Sequence, residues 1–328
     1  MKKLRIAVIC GGDSSEMEVS LRSGAAVFES LDRTKYDPMI VELSKNGWYA
    51  LPARVGVDKN DFSVDGVRFD YALLMIHGTP GENGVLQGYF DLLGIPYSSP
   101  GVETSAVTFN KVLTKLVISS IGEVGLAREI SLDRGEKYDT AEIVRSLGLP
   151  LFVKPNASGS SCGVSKVKCE QDLHAAIDGA FMESDQVLME EYIEGVEISQ
   201  GVMICGDTEY VLPATELVSE NEFFDYQAKY TPGMTHEITP ARIEKSVADL
   251  VSRITLQAYK RLHCRGVVRM DYIIKGGVPY FIEVNTIPGM SKQSIIPQQW
   301  AAVGLTMGAG LDLIISSTKD DKREVKNK

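Results

Sequence analysis

The sequence predicts an α/β protein whose N-terminal part is built on an open, largely parallel sheet and whose remainder is α+β. Three observations carry this. Up to Pro100, apolar strand-like runs alternate with helical stretches, the order in which helices cover a parallel sheet. After Ser98-Ser99-Pro100-Gly101 the order changes, with strand candidates set around helices. From Val196 apolar and polar residues alternate, as they do along antiparallel strands. A chain of 328 residues has room for two or three domains, and 44% hydrophobic content is ordinary for a globular protein.

In chain order, Arg5 to Cys10 is an apolar strand and Gly11-Gly12 a tight turn. Ser15-x-x-Glu18 then reads as a capping box opening a helix with Leu21, Ala25 and Phe28 at helical spacing. Met39 to Leu43 and Ala72 to Ile76 are buried strands, Gln87 to Leu93 a helix, and Ile95-Pro96-Tyr97 opens a further strand. One helix is predicted over Ser105 to Ile118, with a second domain beginning near Thr104. Leu151 to Lys154, Val164 to Val167 and Val187 to Glu190 are strands around a helix from Asp172 to Phe181. Glu220 to Glu237 is polar, aromatic and irregular, long enough to suggest a lid. Pro240 to Leu262 reads as a helix with an apolar stripe of Val247, Leu250, Val251, Ile254 and Leu262, and the charged tail after Thr318 as solvated.

Net charge is -10 and the pI about 5.1, which argues against a nucleic-acid-binding surface. The five cysteines, Cys10, Cys162, Cys169, Cys205 and Cys264, form no C-x-x-C pair. They read as reduced, mostly buried thiols of a cytosolic protein, without disulfide framework or zinc site. The apolar run after Met1-Lys2-Lys3 ends at Gly11, too short for a signal segment or a membrane span.

The richest stretch is RMDYIIKGGVPYFIEVNTIPGMSKQS, residues 269–294. Val267 to Ile274 and Pro279 to Val284 are strand candidates joined by Gly276-Gly277. A three-residue loop sets Asp271 opposite Glu283 and Arg269 opposite Asn285, with all four on one face; a two-residue loop splits them between faces. Carboxylate and amide oxygens of this kind suit Mg²⁺, although the same pattern also fits a solvated antiparallel face. Residues 154–163, KPNASGSSCG, form a small-residue loop rooted at Lys154 whose amides can lie against phosphate; an ordinary flexible turn would read the same way. Glu190-Glu191-Tyr192-Ile193 ends a strand where hinge backbone could read an adenine edge, and Glu197 could accept ribose hydroxyls. Singly, these glutamates also read as solvated strand ends.

In order and spacing these pieces match the ATP-grasp fold, and almost from end to end the chain resembles the D-alanine:D-alanine ligase family. The likeness rests on GGDSSEMEVS (11–20), IHGTPGENGVLQG (76–88), KPNASGSSCGVSKV (154–167), DYQAKY (225–230) and FIEVNTIPGMSKQSIIP (281–297). It implies three domains: a Rossmann-like domain over 1–103, a central ATP-grasp domain over 104–193, and a C-terminal ATP-grasp domain over 194–328 that carries the lid at 220–237. It also implies ATP-dependent ligation of two D-alanines through an acyl phosphate, for cell-wall synthesis, by a cytoplasmic homodimer that binds neither nucleic acid nor membrane.

The resemblance assigns residues as well. Lys111 and Lys154, with Ser160 and Ser161 of the glycine loop, would hold ATP phosphates. Glu190, the backbone from Glu191 through Tyr192 to Ile193, and Glu197 would hold adenosine. Asp271, Glu283 and Asn285 would hold two Mg²⁺ or Mn²⁺ ions. Glu16 would receive the first ammonium, with His77 either beside it as a substrate contact or merely structural. Arg269 and the Gly289 amide would stabilise an oxyanion, and Ser294 with the Ile295 amide would take the second carboxylate. Lys229 and Tyr230 would arrive on the lid, Tyr230 hydrogen-bonded toward Glu16 and Ser160. Met17, Ser158 and Gln293 depart from the family pattern without removing a reacting group. The rival readings are a ligase taking D-lactate or D-serine second, against the depsipeptide form of which Tyr230 argues, and a nucleotide-binding regulator without catalysis.

Overall fold

The computed structural model describes residues 2–14, 16–159, 162–219 and 235–319. In the first of three main sheets, β1 (Leu4–Gly11) lies between β2 (Tyr36–Ser44) and β7 (Tyr71–Leu74), parallel to both. The short strands β3 (Gly47–Ala50) and β4 (Val55–Gly56) extend the β2 side antiparallel, and β5 (Ser63–Val64) and β6 (Val67–Arg68) form a separate small hairpin. Because β1 is central, Ile6 to Ile9 are buried on both faces. Ile6 and Val8 pack with Trp300 of α8 (Ile295–Ala302) and Leu311 and Ile314 of α9 (Met307–Thr318), whereas Ala7 and Ile9 pack with Leu86 and Phe90 of α2 (Val85–Leu93). The last two helices therefore complete the core of the first sheet.

The second sheet has the order β10 (Ser165–Val167), β9 (Leu151–Pro155), β11 (Gln186–Glu191), β8 (Glu129–Asp133), and packs on α5 (Thr140–Leu147) and α6 (Leu173–Phe181). The third runs β15 (Thr235–Ile238), β14 (Thr215–Ser219), β12 (Val196–Cys205), β16 (Val268–Lys275), β17 (Val278–Asn285), with β13 (Thr208–Val211) also on β12. It packs on α7 (Lys245–Arg261) and on the helix pair α3 (Val102–Phe109) and α4 (Lys111–Ile118).

Several elements differ from the sequence expectation. Helix α1 (Met17–Ser30) has Glu16, not Ser15, at its cap position and no side-chain cap bond; Ser15 lies outside the described residues. Its buried face is Ser20, Ser23, Gly24 and Val27 rather than the stripe through Ala25. Small residues win because the helix presses on β1: a Cβ at Gly24 would sit 2.8 Å from that of Cys10. The predicted helix 105–118 is two helices, broken at Asn110, whose backbone is extended and whose side chain accepts from Leu113 N at 2.9 Å, the capping preference of asparagine.

Ile95 to Tyr97 makes only an isolated bridge to Ala72, because the next ladder position is filled by Ser98 Oγ, which accepts from Leu74 N at 2.9 Å. Helix α7 begins at Lys245, since Arg242 is pinned to Glu216 and Ala241 N donates to Ala214 O at 2.7 Å, holding the chain before it extended. Residues 235–237 of the expected lid are strand; 220–234, with Lys229 and Tyr230, lie outside the described residues, as do Ser160, Ser161 and the tail from residue 320. The cysteines form no disulfide among the described residues; Cys10 is buried and the other four are half-buried.

The hairpin at 268–285 departs in an instructive way. Its turn is the two-residue Gly276-Gly277, both with positive φ, and Lys275 pairs with Val278. A regular ladder from there would place Asp271 and Glu283 on opposite faces. A bulge restores the match: Tyr272 faces Phe281 while Asp271 faces Glu283, so Ile282 is the extra residue, and Arg269 again faces Asn285.

Candidate active site

Two cavities meet between the sheets. A narrower one of about 160 Å³ lies between the second and third sheets, and a wider one of about 920 Å³ lies against the first. Both are lined by Lys111, Ser158, Gly159, Arg269 and Glu283, so the two chambers share a neck of two cations, one carboxylate and a glycine-bearing loop.

The narrow chamber has apolar walls, Ala127, Phe152, Ile193, Leu217, Ile273 and Phe281, and polar groups at its rim. It brings together Lys111, Lys154, Glu190, Glu191, Ile193 and Glu197 from the predicted set; Tyr192 lies behind, its ring 6.0 Å from that of Phe152 with Lys166 Nζ 4.1 Å above it. Glu190 is buried with one oxygen on Lys154 Nζ and the other on Lys115 Nζ. Burial opposes its ionisation, but the two ammonium groups outweigh burial and hold its carboxyl below the usual carboxylate range. The Glu191 carboxylate accepts from Arg128 Nε at 2.8 Å and from Arg128 N at 2.9 Å.

At the neck, Lys111 opens α4, donating to Ser158 O at 2.9 Å with Glu283 Oε2 3.6 Å away. Asp271 accepts from Arg269 Nε at 2.9 Å and Nη2 at 2.8 Å, from Ser199 Oγ at 2.6 Å and from Asn285 Nδ2 at 2.9 Å. Burial works against the Arg269 charge, yet Asp271 more than offsets it and keeps the guanidinium protonated. Asp271, Glu283 and Asn285 thus present hard oxygen donors from facing strand positions, a set that fits a magnesium-type cation completed by phosphate oxygens. No cluster of three histidine, cysteine or carboxylate ligands occurs among the described residues, so the Asn285 amide is needed.

In the wide chamber the Glu16 carboxylate is lodged between two loops: a Cβ on Gly159 would lie 2.4 Å from Glu16 Oε2, and one on Gly78 3.2 Å. His77 is buried, with Nδ1 2.8 Å from Ile287 O and Nε2 3.4 Å from Ser23 Oγ. A carbonyl only accepts, so Nδ1 carries the proton and Nε2 faces the serine. Burial lowers the His77 pKa, against a weaker pull from Glu16, and the ring is neutral. Ser294 stands at the cap position of α8 without a side-chain cap bond; its Oγ lies 2.8 Å from Ser291 Oγ, and a Cβ on Gly289 would lie 2.9 Å from the Ser294 Oγ. Gly289 and Ile295 line the same chamber.

Two residues escaped the sequence reading. Glu82, inside the quoted 76–88 motif, accepts from Gly78 N at 2.9 Å and from Thr286 N and Ile287 N at 3.1 Å each, tying the loop after β7 to the loop after β17. Burial, aided by the charge of Glu16, raises its pKa to about 7. The other is Lys115, whose only sequence signal is its place one helical turn beyond Lys111.

Comparison with known proteins agrees along the whole chain. Residues 5–61 match the family model described as D-ala D-ala ligase N-terminus and residues 125–316 the model described as D-ala D-ala ligase C-terminus. A D-alanine--D-alanine ligase of Phocaeicola vulgatus is 47% identical over 311 residues, 92% of this chain and 95% of that protein. One of Parabacteroides distasonis is 44% identical with both chains covered completely. Among solved structures, the VanG D-Ala:D-Ser ligase of Enterococcus faecalis superposes with a TM-score of 0.85 at 31% identity, covering 96% of this chain and 99% of that one. The ATP complex of the Bacillus anthracis D-alanine--D-alanine ligase gives 0.77 at 31% identity, covering 96% of each.

Proposed function

This chain belongs to the D-alanine–D-alanine ligase family, and from that premise we propose how its residues divide the work. The protein is an ATP-dependent ligase that joins two D-alanine molecules to D-alanyl-D-alanine for peptidoglycan synthesis. The observation that carries the residue assignment is the shared neck: among the described residues, Lys111, Ser158, Gly159, Arg269 and Glu283 line both the nucleotide and the amino-acid chamber, the place where a phosphoryl group would pass between them.

Adenine lies among Phe152, Ile193, Leu217 and Phe281, with Glu190, Glu191 and Glu197 at the polar edge and the triphosphate running from Lys154 to Lys111. Divalent metal ions, when bound by Asp271, Glu283 and Asn285, neutralise charge on the transferring phosphate. Glu16 receives the ammonium of the first D-alanine, which places its carboxylate at the neck to take the γ-phosphoryl group and become an acyl phosphate. Activation is needed because a carboxylate is a poor electrophile. The second D-alanine lays its carboxylate at Ser294 and the Ile295 amide, and its deprotonated amine attacks the acyl carbon. Arg269, aimed by its two bonds to Asp271, and the Gly289 amide stabilise the oxyanion; collapse expels phosphate. Neutral His77 holds the loop at Ile287 in place.

We read the three sheets as the cores of domains 1–103, 104–193 and 194–328, and the protein as a cytoplasmic homodimer. Cysteines without disulfides and dependence on ATP support that location. The test is phosphate release from ATP with D-alanine alone and with D-serine or D-lactate added, for wild type and Glu283→Gln. D-alanine alone should support turnover, and Glu283→Gln should lose roughly a hundredfold or more in kcat with an unchanged fold. Ordinary turnover by the variant would sink the metal assignment, and no release with D-alanine would sink the reading as a whole.

A further inference from the structure

We infer that Lys115 is a positioning residue of the nucleotide site, holding Glu190 from behind so that Lys154 can turn to phosphate without leaving a bare buried carboxylate. The inference rests on the reading above that Glu190 and Lys154 belong to the nucleotide chamber. Lys115 lines neither cavity. Its side chain is 3% exposed, and its ammonium meets the carboxylates of Glu190 and Glu129 and, at 3.3 Å, Ala127 O. Three acceptors for three protons leave it fully used.

Two features make this more than a buried ion pair. Glu190 and Glu129 stand directly opposite each other on β11 and β8, an arrangement that repels unless a cation lies between them. Lys115 is that cation, delivered from α4, a helix packed on β17 of the third sheet, so the contact spans the two sheets that wall the nucleotide chamber. The second feature is the sharing of one carboxylate by two lysines. The groups facing Glu190 are Lys154 from β9, Glu129 from β8 and Lys115 from α4, two cations against two anions. When Lys154 turns toward a triphosphate, Glu190 keeps a counter-ion because Lys115 has no other place to go. Without Lys115, Glu190 would retain Lys154 as its sole counter-ion and withhold it from phosphate, or would take up a proton.

The test uses the intact protein and MgADP as probe. Lys115→Met should weaken calorimetric MgADP binding and raise the ATP KM by at least about tenfold, with a smaller effect on kcat. The acid limb of kcat/KM should also move to higher pH, since Glu190 loses one of the two cations that hold it ionised. Lys115→Arg should restore much of the binding. Adding Glu129→Gln to Lys115→Met should restore part of it, by removing the like charge the lysine had separated; both variants remain informative if Lys115→Met proves unstable. Wild-type MgADP binding with an unshifted acid limb in Lys115→Met overturns the inference, as does a loss that neither companion variant relieves. Glu190→Gln separates the two layers: normal MgADP binding there removes the nucleotide reading itself, whereas a defect there beside a normal Lys115→Met removes the role of Lys115 alone.

Discussion

Glu16 and Gly159 show how much chemistry can rest on a missing methyl group. The Glu16 carboxylate occupies the space a Cβ on Gly159 would need, and the far end of a flexible side chain yields more easily than backbone. Gly159→Ala should therefore displace Glu16 while costing little stability: melting temperature within a few degrees of wild type, D-alanine KM raised by roughly tenfold or more. A D-alanine KM unchanged in that variant would mean the ammonium is received elsewhere. Glu82 supplies the pH-dependent prediction. Its carboxyl is raised to about 7 in the folded chain, against about 4.3 unfolded. The folded state holds the proton more tightly, so the contribution of Glu82 to stability is full below the unfolded value and is lost as pH rises through about 7. The unfolding free energy of wild type minus that of Glu82→Gln should fall by roughly 3 kcal/mol between about pH 4 and pH 8. Denaturant titrations of both proteins at several pH values would measure it, and a flat difference would contradict the assignment.

Among elements, α4 places Lys111 and Lys115 on one short helix that begins at the cap Asn110. Its start is set by the Asn110 bond to Leu113 N. Asn110→Ala should cost about 1 kcal/mol and raise the ATP KM severalfold, because Lys111 sits in the turn that would fray; Asn110→Asp, which keeps the acceptor, should be close to wild type. Steady-state kinetics with thermal melts separates the two effects. The β16–β17 hairpin makes the complementary point. Its residue types announced oxygen ligands, yet the facing of Asp271 and Glu283 depends on the bulge at Ile282. Nothing in the run Pro279 to Val284 marks that residue as the extra one, because a bulge is selected by packing on both sides of a strand rather than by the strand itself.

At the scale of the molecule, the first sheet is finished by the last helices. Trp300, Leu311, Ile314 and Ile315 share a core with Ile6, Val8 and Leu73, and Tyr71 Oη lies 2.5 Å from Thr318 Oγ1. A chain ending at Gly304 should lack cooperative unfolding and bind an apolar dye, since Trp300 and part of one face of β1 would lose the cover of Leu311, Ile314 and Ile315. Cooperative melting of that truncation would show the two ends to be energetically independent. The same closure brings Glu16 and Ser294 to one chamber. The neck is assembled from α4, the loop after β9 and the β16–β17 hairpin, which lie far apart in sequence.

Legibility followed the range of the interaction. Strand and helix identity, the glycine turns, the acidic character of the surface and the residue types of the five motifs were determined by the sequence alone, because each is set by local periodicity, backbone freedom or side-chain chemistry. The buried face of α1, the docking of the break at Asn110, the failure of Ile95 to Tyr97 to extend a ladder and the late start of α7 were decided by neighbours: Cys10, Asn156, Ser98 and Glu216 respectively. So were the roles of Glu82 and Lys115, whose partners lie on segments distant in the chain. Local signals fix which elements form; only tertiary structure fixes which face turns inward and which charges meet, because burial and ion pairing are settled by whatever the fold brings within a few ångströms.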